Sequence, residues 1–153
     1  MPSQITPPVE DRIARIMTAY ADHPEGSVPT KAQWDMLAGL PDTATVALIN
    51  HFRFRERAVY PDGRATELNG HEAFGLYTTV SGDALTRAGG HFLMMSLPAG
   101  TLIGDDAHWD LVAIGQYQNP QGIFAIFEDP EYRDCFIHRT AALAAQRVSL
   151  CTM

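Results

Sequence analysis

The segment TATVALINHFRFR (residues 43–55) is the first part of the chain with the composition of a β-strand. It is rich in β-branched and aromatic residues, which favour an extended backbone. Because successive side chains of a strand point to opposite faces, Val46 and Phe52 share one face, whereas Ala47 and Ile49 lie on the other. The predicted strand is therefore apolar on both faces, and both faces need a cover.

Three further segments have strand composition: HFLMMSL (residues 91–97), WDLVAIGQY (residues 109–117) and RVSLCTM (residues 147–153). Helices are expected between them. One begins after Asn69, which forms a capping box with Glu72, and another begins after Asp129, with Pro130 at its first position. A short helix near Pro120 precedes the latter. The order of the core elements is β-α-β-β-α-β.

This order predicts an α+β protein with the ferredoxin-like fold, in which two helices pack on one face of a four-stranded antiparallel sheet. Such a sheet leaves its second face uncovered, yet that face is also apolar here. A second copy of the chain is the simplest cover. We therefore expect a homodimer whose two sheets face each other as a dimeric α/β barrel.

Two more helices are expected before the first strand, in PPVEDRIARIMTAYADHP (residues 7–24) and VPTKAQWDMLAGLP (residues 28–41). The first has an apolar stripe that includes Val9, Ile13 and Met17, which needs a surface to cover. We expect this helix to pack on the outside of the barrel or on the partner. Residues 1–42 are thus interpreted as an N-terminal helical extension of a barrel domain at residues 43–153.

Composition excludes several classes of protein. The 153 residues carry a formal net charge of −7, whereas binding to nucleic acid needs a basic face. No segment has the apolar length of a membrane span, and the N-terminus lacks the pattern of a secretory signal, so a cytoplasmic protein without a membrane partner is expected. Cys135 and Cys151 lack the spacing of a metal site, so both are expected to be reduced.

Several segments resemble a branch of the bacterial family catalogued as domain of unknown function 1330. They are TVALINHFRFRERAVYPDG (residues 45–63), NGHEAFGLY (residues 69–77), RAGGHF (residues 87–92) and EDPEYRDCFIHRTAAL (residues 128–143). The family belongs to the dimeric α/β-barrel superfamily, so the resemblance implies that fold. Related folds serve as cofactor-free monooxygenases, lactone isomerases and haem-degrading enzymes, and some have no known catalysis. His51 departs from the branch, which usually has an aliphatic residue there.

Asn50 and His138 are the candidate catalytic residues. An amide in the middle of an apolar strand needs a partner, which is either a neighbouring backbone group or a ligand. The haem-degrading members carry an asparagine on their first strand, and Asn50 lies in a similar stretch. His138 titrates near neutral pH as an acid–base group does, although a histidine at the edge of a helix is often structural. We expect His138 to reach a pocket whose far wall includes Asn50, and Arg139 to pair with a carboxylate or a chain end.

The candidate ligand-binding residues extend this pocket and the opposite sheet face. His51 and Arg53 share that opposite face, either as an anion clamp or as a solvated strand end. Tyr60 either reaches the mouth of the pocket or anchors a turn. The remaining candidates are Phe52, Tyr117, Phe136 and Arg139.

Two hypotheses for function follow. The first is a cofactor-independent enzyme, similar to a monooxygenase or isomerase, that acts on a small hydrophobic, oxygen-bearing molecule. Phe52, Phe54, Tyr77, Tyr117 and Phe136 would line its pocket. The second is a non-catalytic dimer that binds a small ligand or is purely structural. Haem binding is a narrower option, with His138 as the axial ligand. No metal or cofactor is expected, since the chain lacks ligand spacing and a phosphate-binding glycine loop.

Overall fold

The computed structural model describes residues 7–153, which form five helices and four strands. In chain order they are α1 (Val9–Ala19), α2 (Lys31–Ala38), β1 (Val46–Phe54), α3 (Gly70–Arg87), β2 (Gly90–Ser96), β3 (Leu111–Tyr117), α4 (Gln121–Glu128), α5 (Pro130–Ala142) and β4 (Leu143–Thr152). The strands form one antiparallel sheet in the order β2-β3-β1-β4. The predicted α+β class is therefore confirmed. None of the helices in this described range is long and apolar enough to cross a membrane.

The predicted helix starts are confirmed by their capping contacts. Thr30 and Asn69 each complete a capping box, with Gln33 and Glu72 respectively. The Asp129 carboxylate accepts hydrogen bonds from the backbone N–H groups of residues 131 and 132. The last strand starts earlier than predicted, because the chain passes from α5 into β4 at Leu143 without a loop.

The two faces of the sheet differ in how well they are covered. The inner face carries Val46 and Phe52 of β1, which are 0% and 3% exposed beneath α3 and α5. The outer face carries Ile49 of β1, which pairs with Ile114 of β3, and both are only half-buried. Met94 of β2 pairs with Ile114 in turn and is exposed. The outer face is therefore apolar and open in the single chain.

The two N-terminal helices belong to the same hydrophobic core as the sheet. Ile13 and Ile16 of α1 are buried there with Trp34 and Leu37 of α2. The Tyr20 hydroxyl donates to the backbone carbonyl of residue 127 at 2.9 Å, and Arg12 pairs with Glu128. Helix α1 thus packs on α4 of its own chain. Two members of the predicted stripe, Val9 and Met17, remain exposed at its edge.

Candidate functional site

A cavity of about 460 Å³ lies between the inner face of the sheet and the helices. Leu48, Asn50 and Tyr117 contribute from the sheet, and Tyr77 and Arg139 from α3 and α5. The loop at residues 26–29 and helix α2 form a further wall. The cavity lies where the sequence predicted a pocket, and its volume suits a small molecule.

Arg139 is the less exposed of the two arginines in the described lining of the cavity, since Arg147 is exposed. Its Nη1 donates to the Tyr77 hydroxyl at 3.2 Å, and its Nη2 donates to Gln146 Oε1 at 2.9 Å. Its Nε is buried and has no hydrogen-bond partner among the described residues. The guanidinium carbon lies 4.9 Å from the ring centre of Phe52 and 5.3 Å from that of Phe136. The charge is thus surrounded by aromatic rings and neutral oxygens.

Arg139 does not pair with a carboxylate or a chain end, so that prediction is wrong. No ion pair joins Arg139 to an acidic group within residues 7–153. The six preceding residues, MPSQIT, contain no Asp or Glu. Although burial opposes the charge, the neighbouring Tyr77 and Tyr132 hydroxyls raise the pKa of Arg139 above its ordinary value. The cavity therefore contains a permanent positive charge.

Three tyrosines supply hydroxyl groups beside this charge. The Tyr77 and Tyr132 hydroxyls form a hydrogen bond of 3.0 Å, and both side chains are buried. Burial raises the pKa of Tyr132 and of Tyr117 well above the ordinary value of a phenol. The hydroxyls of Tyr117 and Tyr132 therefore stay protonated at neutral pH, so they act as hydrogen-bond donors and not as anions.

Asn50 lies on the inner face and lines the cavity, as the sequence predicted. Its amide nitrogen donates to the backbone carbonyls of Leu48 and Ala113, at 3.2 and 3.0 Å. The sequence analysis left a backbone partner and a ligand as alternatives for this amide. The backbone satisfies the nitrogen, and Oδ1 has no donor among the described residues, so it is the part of Asn50 left for a ligand.

His138 does not line this cavity, so the prediction that it shares a pocket with Asn50 is wrong. Its Nδ1 lies 2.7 Å from the Tyr60 hydroxyl, and the two rings meet edge to face. Successive helical residues point about 100° apart. Helix α5 therefore directs Arg139 into the cavity and His138 towards the loop that contains Tyr60. A haem held by His138 would not occupy the cavity.

The other pocket and ligand-binding candidates fall into three groups. Tyr117 and Phe136 line the cavity, whereas Phe52 and Phe54 lie behind its wall and pack on Phe74. His51 and Arg53 lie on the outer face, where both contact the ring of Trp109. Arg53 also donates to the backbone carbonyl of residue 108 at 3.0 Å. The structure therefore does not bring these two residues together with Asn50.

One wall of the cavity, formed by α2, the loop before it and Gln146, was not predicted from the sequence. Trp34 is 2% exposed and lines the cavity, and its ring lies tilted against Phe124 and edge to face with Phe127. The sequence does contain a signal for this wall. Trp34 and Leu37 are three residues apart and so lie on one side of a short capped helix, and a side that contains a tryptophan needs a surface to cover it. Gln146 was hidden because it precedes the predicted start of β4.

No metal centre appears in the part of the chain that the structure describes. Residues 7–153 contain no cluster of three or more His, Cys, Asp or Glu side chains with ligand geometry. Cys135 is buried, and burial raises the pKa of its thiol to about 11, which keeps it protonated. Among the described residues, the polar groups that line the site belong to arginine, tyrosine, serine, asparagine and glutamine side chains, and none of them is a carboxylate, a thiol or an imidazole.

Four solved chains are similar to this chain, and two of them are as follows. One is described as the methylated RPA0582 protein, and it is 33% identical with a TM-score of 0.75 over 82% of this chain and 93% of that one. The other is described as the RPA0582 protein of unknown function from Rhodopseudomonas palustris. It is 30% identical with a TM-score of 0.74 over 82% of this chain and 95% of that one. No family model and no curated protein matches the chain.

Proposed function

The chain belongs to the family of the Rhodopseudomonas palustris RPA0582 protein, whose function is unknown, and we propose that its cavity binds a small, largely hydrophobic, oxygen-bearing molecule. We further propose that the bound molecule undergoes cofactor-independent chemistry of an isomerase or monooxygenase type. The observation that carries the proposal is that Arg139, Tyr77 and Asn50 all line one cavity of about 460 Å³, whose wall also contains many apolar side chains. A few polar groups in an apolar, concave wall are typical of sites for small molecules.

The donors suit chemistry that places negative charge on an oxygen atom. Arg139 donates to Tyr77, which polarises the Tyr77 hydroxyl, and Tyr132 extends the same chain of hydrogen bonds. Such preorganised donors stabilise an enolate or another oxyanion more strongly than bulk water does. Walls of Trp34, Leu85 and Ile123 would hold the apolar part of the substrate.

A non-catalytic ligand-binding protein is the second candidate, and one observation favours it. The described residues that line the cavity include no His, Asp or Glu, so no ordinary proton acceptor faces the ligand. An enzyme would then have to use water, or a substrate that is already acidic. Turnover of a bound compound distinguishes the two candidates, since both require the same pocket.

The experiment that tests both is native mass spectrometry of the purified protein, followed by identification of any small molecule released on denaturation. Ser81 of α3 lines the cavity and is buried, so Ser81→Leu fills part of it. Thr79 lies on the exposed side of the same helix, so Thr79→Leu is the matched control. We expect the adduct to be lost in Ser81→Leu and kept in Thr79→Leu. An adduct unaffected by Ser81→Leu would contradict binding in this cavity.

We also propose that the chain adopts the ferredoxin-like fold and assembles as a dimeric α/β barrel, as in the domain of unknown function 1330 family. The strand order β2-β3-β1-β4, with helices on the inner face, supports the fold assignment. The open apolar outer face around Ile49 and Ile114 supports a second copy as its cover.

A further inference from the structure

We propose that the molecule bound in the cavity is a monocarboxylate and that Arg139 holds its carboxylate group. This inference rests on the proposed function, because it assumes that the cavity is a binding site. It adds the charge and the chemical class of the ligand.

The positive charge of the Arg139 guanidinium is not balanced by an acidic side chain. Burying a cation is costly unless an anion and hydrogen bonds compensate for the lost water. Arg139 has the hydrogen bonds to Tyr77 and Gln146, but no acidic side chain among residues 7–153 pairs with it. Neutral tyrosines and aromatic rings lessen this cost without neutralising the charge. An anionic ligand would neutralise it.

The Arg139 guanidinium has N–H groups that remain free to donate hydrogen bonds to a ligand. A guanidinium has five N–H groups. Two of these donate to Tyr77 and Gln146, and the Nε is buried without a partner. The remaining N–H groups belong to Nη1 and Nη2 of a side chain that lines the cavity. A planar carboxylate matches donors of this fixed geometry.

A dianion such as a phosphate monoester fits this cavity less well than a monoanion does. Arg139 is the one arginine in the described lining of the cavity whose guanidinium is buried at Nε, since the other arginine there, Arg147, is exposed. Water and salt screen a charge in that position. One buried guanidinium balances one negative charge, and a second charge on the ligand would lack a partner. A monoanion therefore fits this cavity best.

The part of the ligand outside its carboxylate group would contact apolar side chains. The walls away from Arg139 are formed by apolar side chains, namely Trp34, Leu37, Leu85, Ile123, Ile126 and Phe127. Burial of a hydrocarbon or aromatic body against them is favourable in proportion to the area removed from water. The combination of one buried cation and apolar walls is suited to an aryl or alkyl monocarboxylate.

The test uses a panel of arylcarboxylates from benzoate to 2-naphthoate, each paired with its uncharged primary amide. Trp34 lines the cavity, so its fluorescence reports occupancy, and Trp109→Phe leaves Trp34 as the sole tryptophan. Isothermal titration calorimetry of the unmodified chain provides a second measurement. We expect at least one carboxylate to bind about tenfold or more tightly than its amide, because a charge-assisted contact is replaced by a neutral one.

Variants of α5 identify the group responsible. Arg139→Met should remove the preference for carboxylate over amide, and Arg139→Lys should keep part of it because the charge is retained. Arg133→Met is the matched control, since Arg133 is exposed on the same helix. We expect it to bind the panel as the wild type does. If Arg139→Met fails to fold, the carboxylate–amide pairs on the wild type still test the inference.

The outcomes separate the two proposals. Amides that bind as tightly as their carboxylates would overturn the monocarboxylate inference and leave the proposed binding function in place. If no compound of either type binds at millimolar concentration, the monocarboxylate inference is overturned, whereas the proposed binding function is decided separately by native mass spectrometry of Ser81→Leu and Thr79→Leu. A preference for carboxylate that survives in Arg139→Met would overturn the assignment of Arg139.

Discussion

The Tyr60 hydroxyl and His138 Nδ1 lie 2.7 Å apart, which joins the loop after β1 to helix α5 on the side away from the cavity. Tyr60 is buried, so the phenol loses this partner if the imidazole is removed. We expect Tyr60→Phe to lower the free energy of unfolding by about 1 kcal/mol, measured by urea denaturation. In a His138→Ala background the same substitution should cost clearly less, because the partner is already missing. Equal costs in both backgrounds would contradict a hydrogen bond between the two side chains.

The lowered pKa values of His138 and His23 predict how the free energy of unfolding depends on pH. Burial and the nearby Arg64 lower the pKa of His138, and burial lowers the pKa of His23, whose Nδ1 lies 2.8 Å from Thr140 Oγ1. The unfolded chain therefore binds more protons than the folded chain between these lowered values and about 6.5. The free energy of unfolding should fall as the pH falls through this window and level off below it.

Denaturation curves from pH 8 to pH 5 check this dependence. His138→Gln and His23→Gln should each flatten the slope, because each removes one group whose neutral form is favoured by folding. Exposed His71 is the control, and His71→Gln should leave the slope as it is in the wild type. A slope that is unchanged in the double variant His23→Gln/His138→Gln would show that other groups cause it.

Gly70 and Gly75 form a matched pair on α3. A Cβ at Gly70 would meet backbone atoms of Arg55 and the carbonyl oxygen of Ala142, the latter at 2.6 Å, whereas a Cβ at Gly75 would meet nothing within 4 Å. Backbone atoms cannot move aside as a flexible side chain can. We expect Gly70→Ala to destabilise the fold by about 1–3 kcal/mol and Gly75→Ala to stabilise it by up to about 1 kcal/mol. Thermal denaturation of both variants tests the close approach of Gly70 to the backbone of Arg55 and Ala142. Similar melting temperatures for the two variants would contradict it.

Local sequence signals predicted the order of elements well, because caps and alternation act within a few residues. Asn69 and Asp129 start helices through contacts to backbone groups two or three residues ahead. The alternation of β1 placed Asn50 with Val46 and Phe52 on the inner face. These signals do not depend on what packs against the element.

The site was harder to predict, since it depends on which side of α5 faces the cavity. Helix α5 is covered on more than one side: Phe136 packs on Tyr77 of α3, and the carbonyl of Ala141 accepts from the backbone of Val59 in the loop after β1. Its buried residues therefore do not form one narrow stripe, and the pattern did not separate His138 from Arg139. The wall formed by α2 depends on contacts between segments distant in sequence, which no local pattern reports.

The open outer face predicts a dimer in solution. Multi-angle light scattering should return a mass of about twice the 16.8 kDa of the chain. Ile114→Glu places a charge among Ile49, Val112 and Met94, and we expect it to shift the protein to monomers, since an unpaired charge is costly to bury. Leu76 lies exposed on α3, away from the sheet, so Leu76→Glu is the control that should remain dimeric. A monomeric wild type at micromolar concentration would contradict this prediction.

The Tyr77 hydroxyl bonds directly to Arg139, whereas the Tyr132 hydroxyl bonds to Tyr77. Removing each hydroxyl by a Tyr→Phe substitution should therefore lower the free energy of unfolding by a different amount. Tyr77 accepts from Arg139 Nη1 and also bonds to Tyr132, whereas Tyr132 has the Tyr77 hydroxyl as its side-chain partner. Tyr132→Phe should cost about 1 kcal/mol of unfolding free energy. Tyr77→Phe leaves two polar groups without a partner and should cost about twice as much. The excess should disappear in an Arg139→Met background, because no guanidinium remains to be satisfied. Urea denaturation of the four variants measures this coupling, and an equal cost for Tyr77→Phe with and without Arg139 would show that the two side chains act independently.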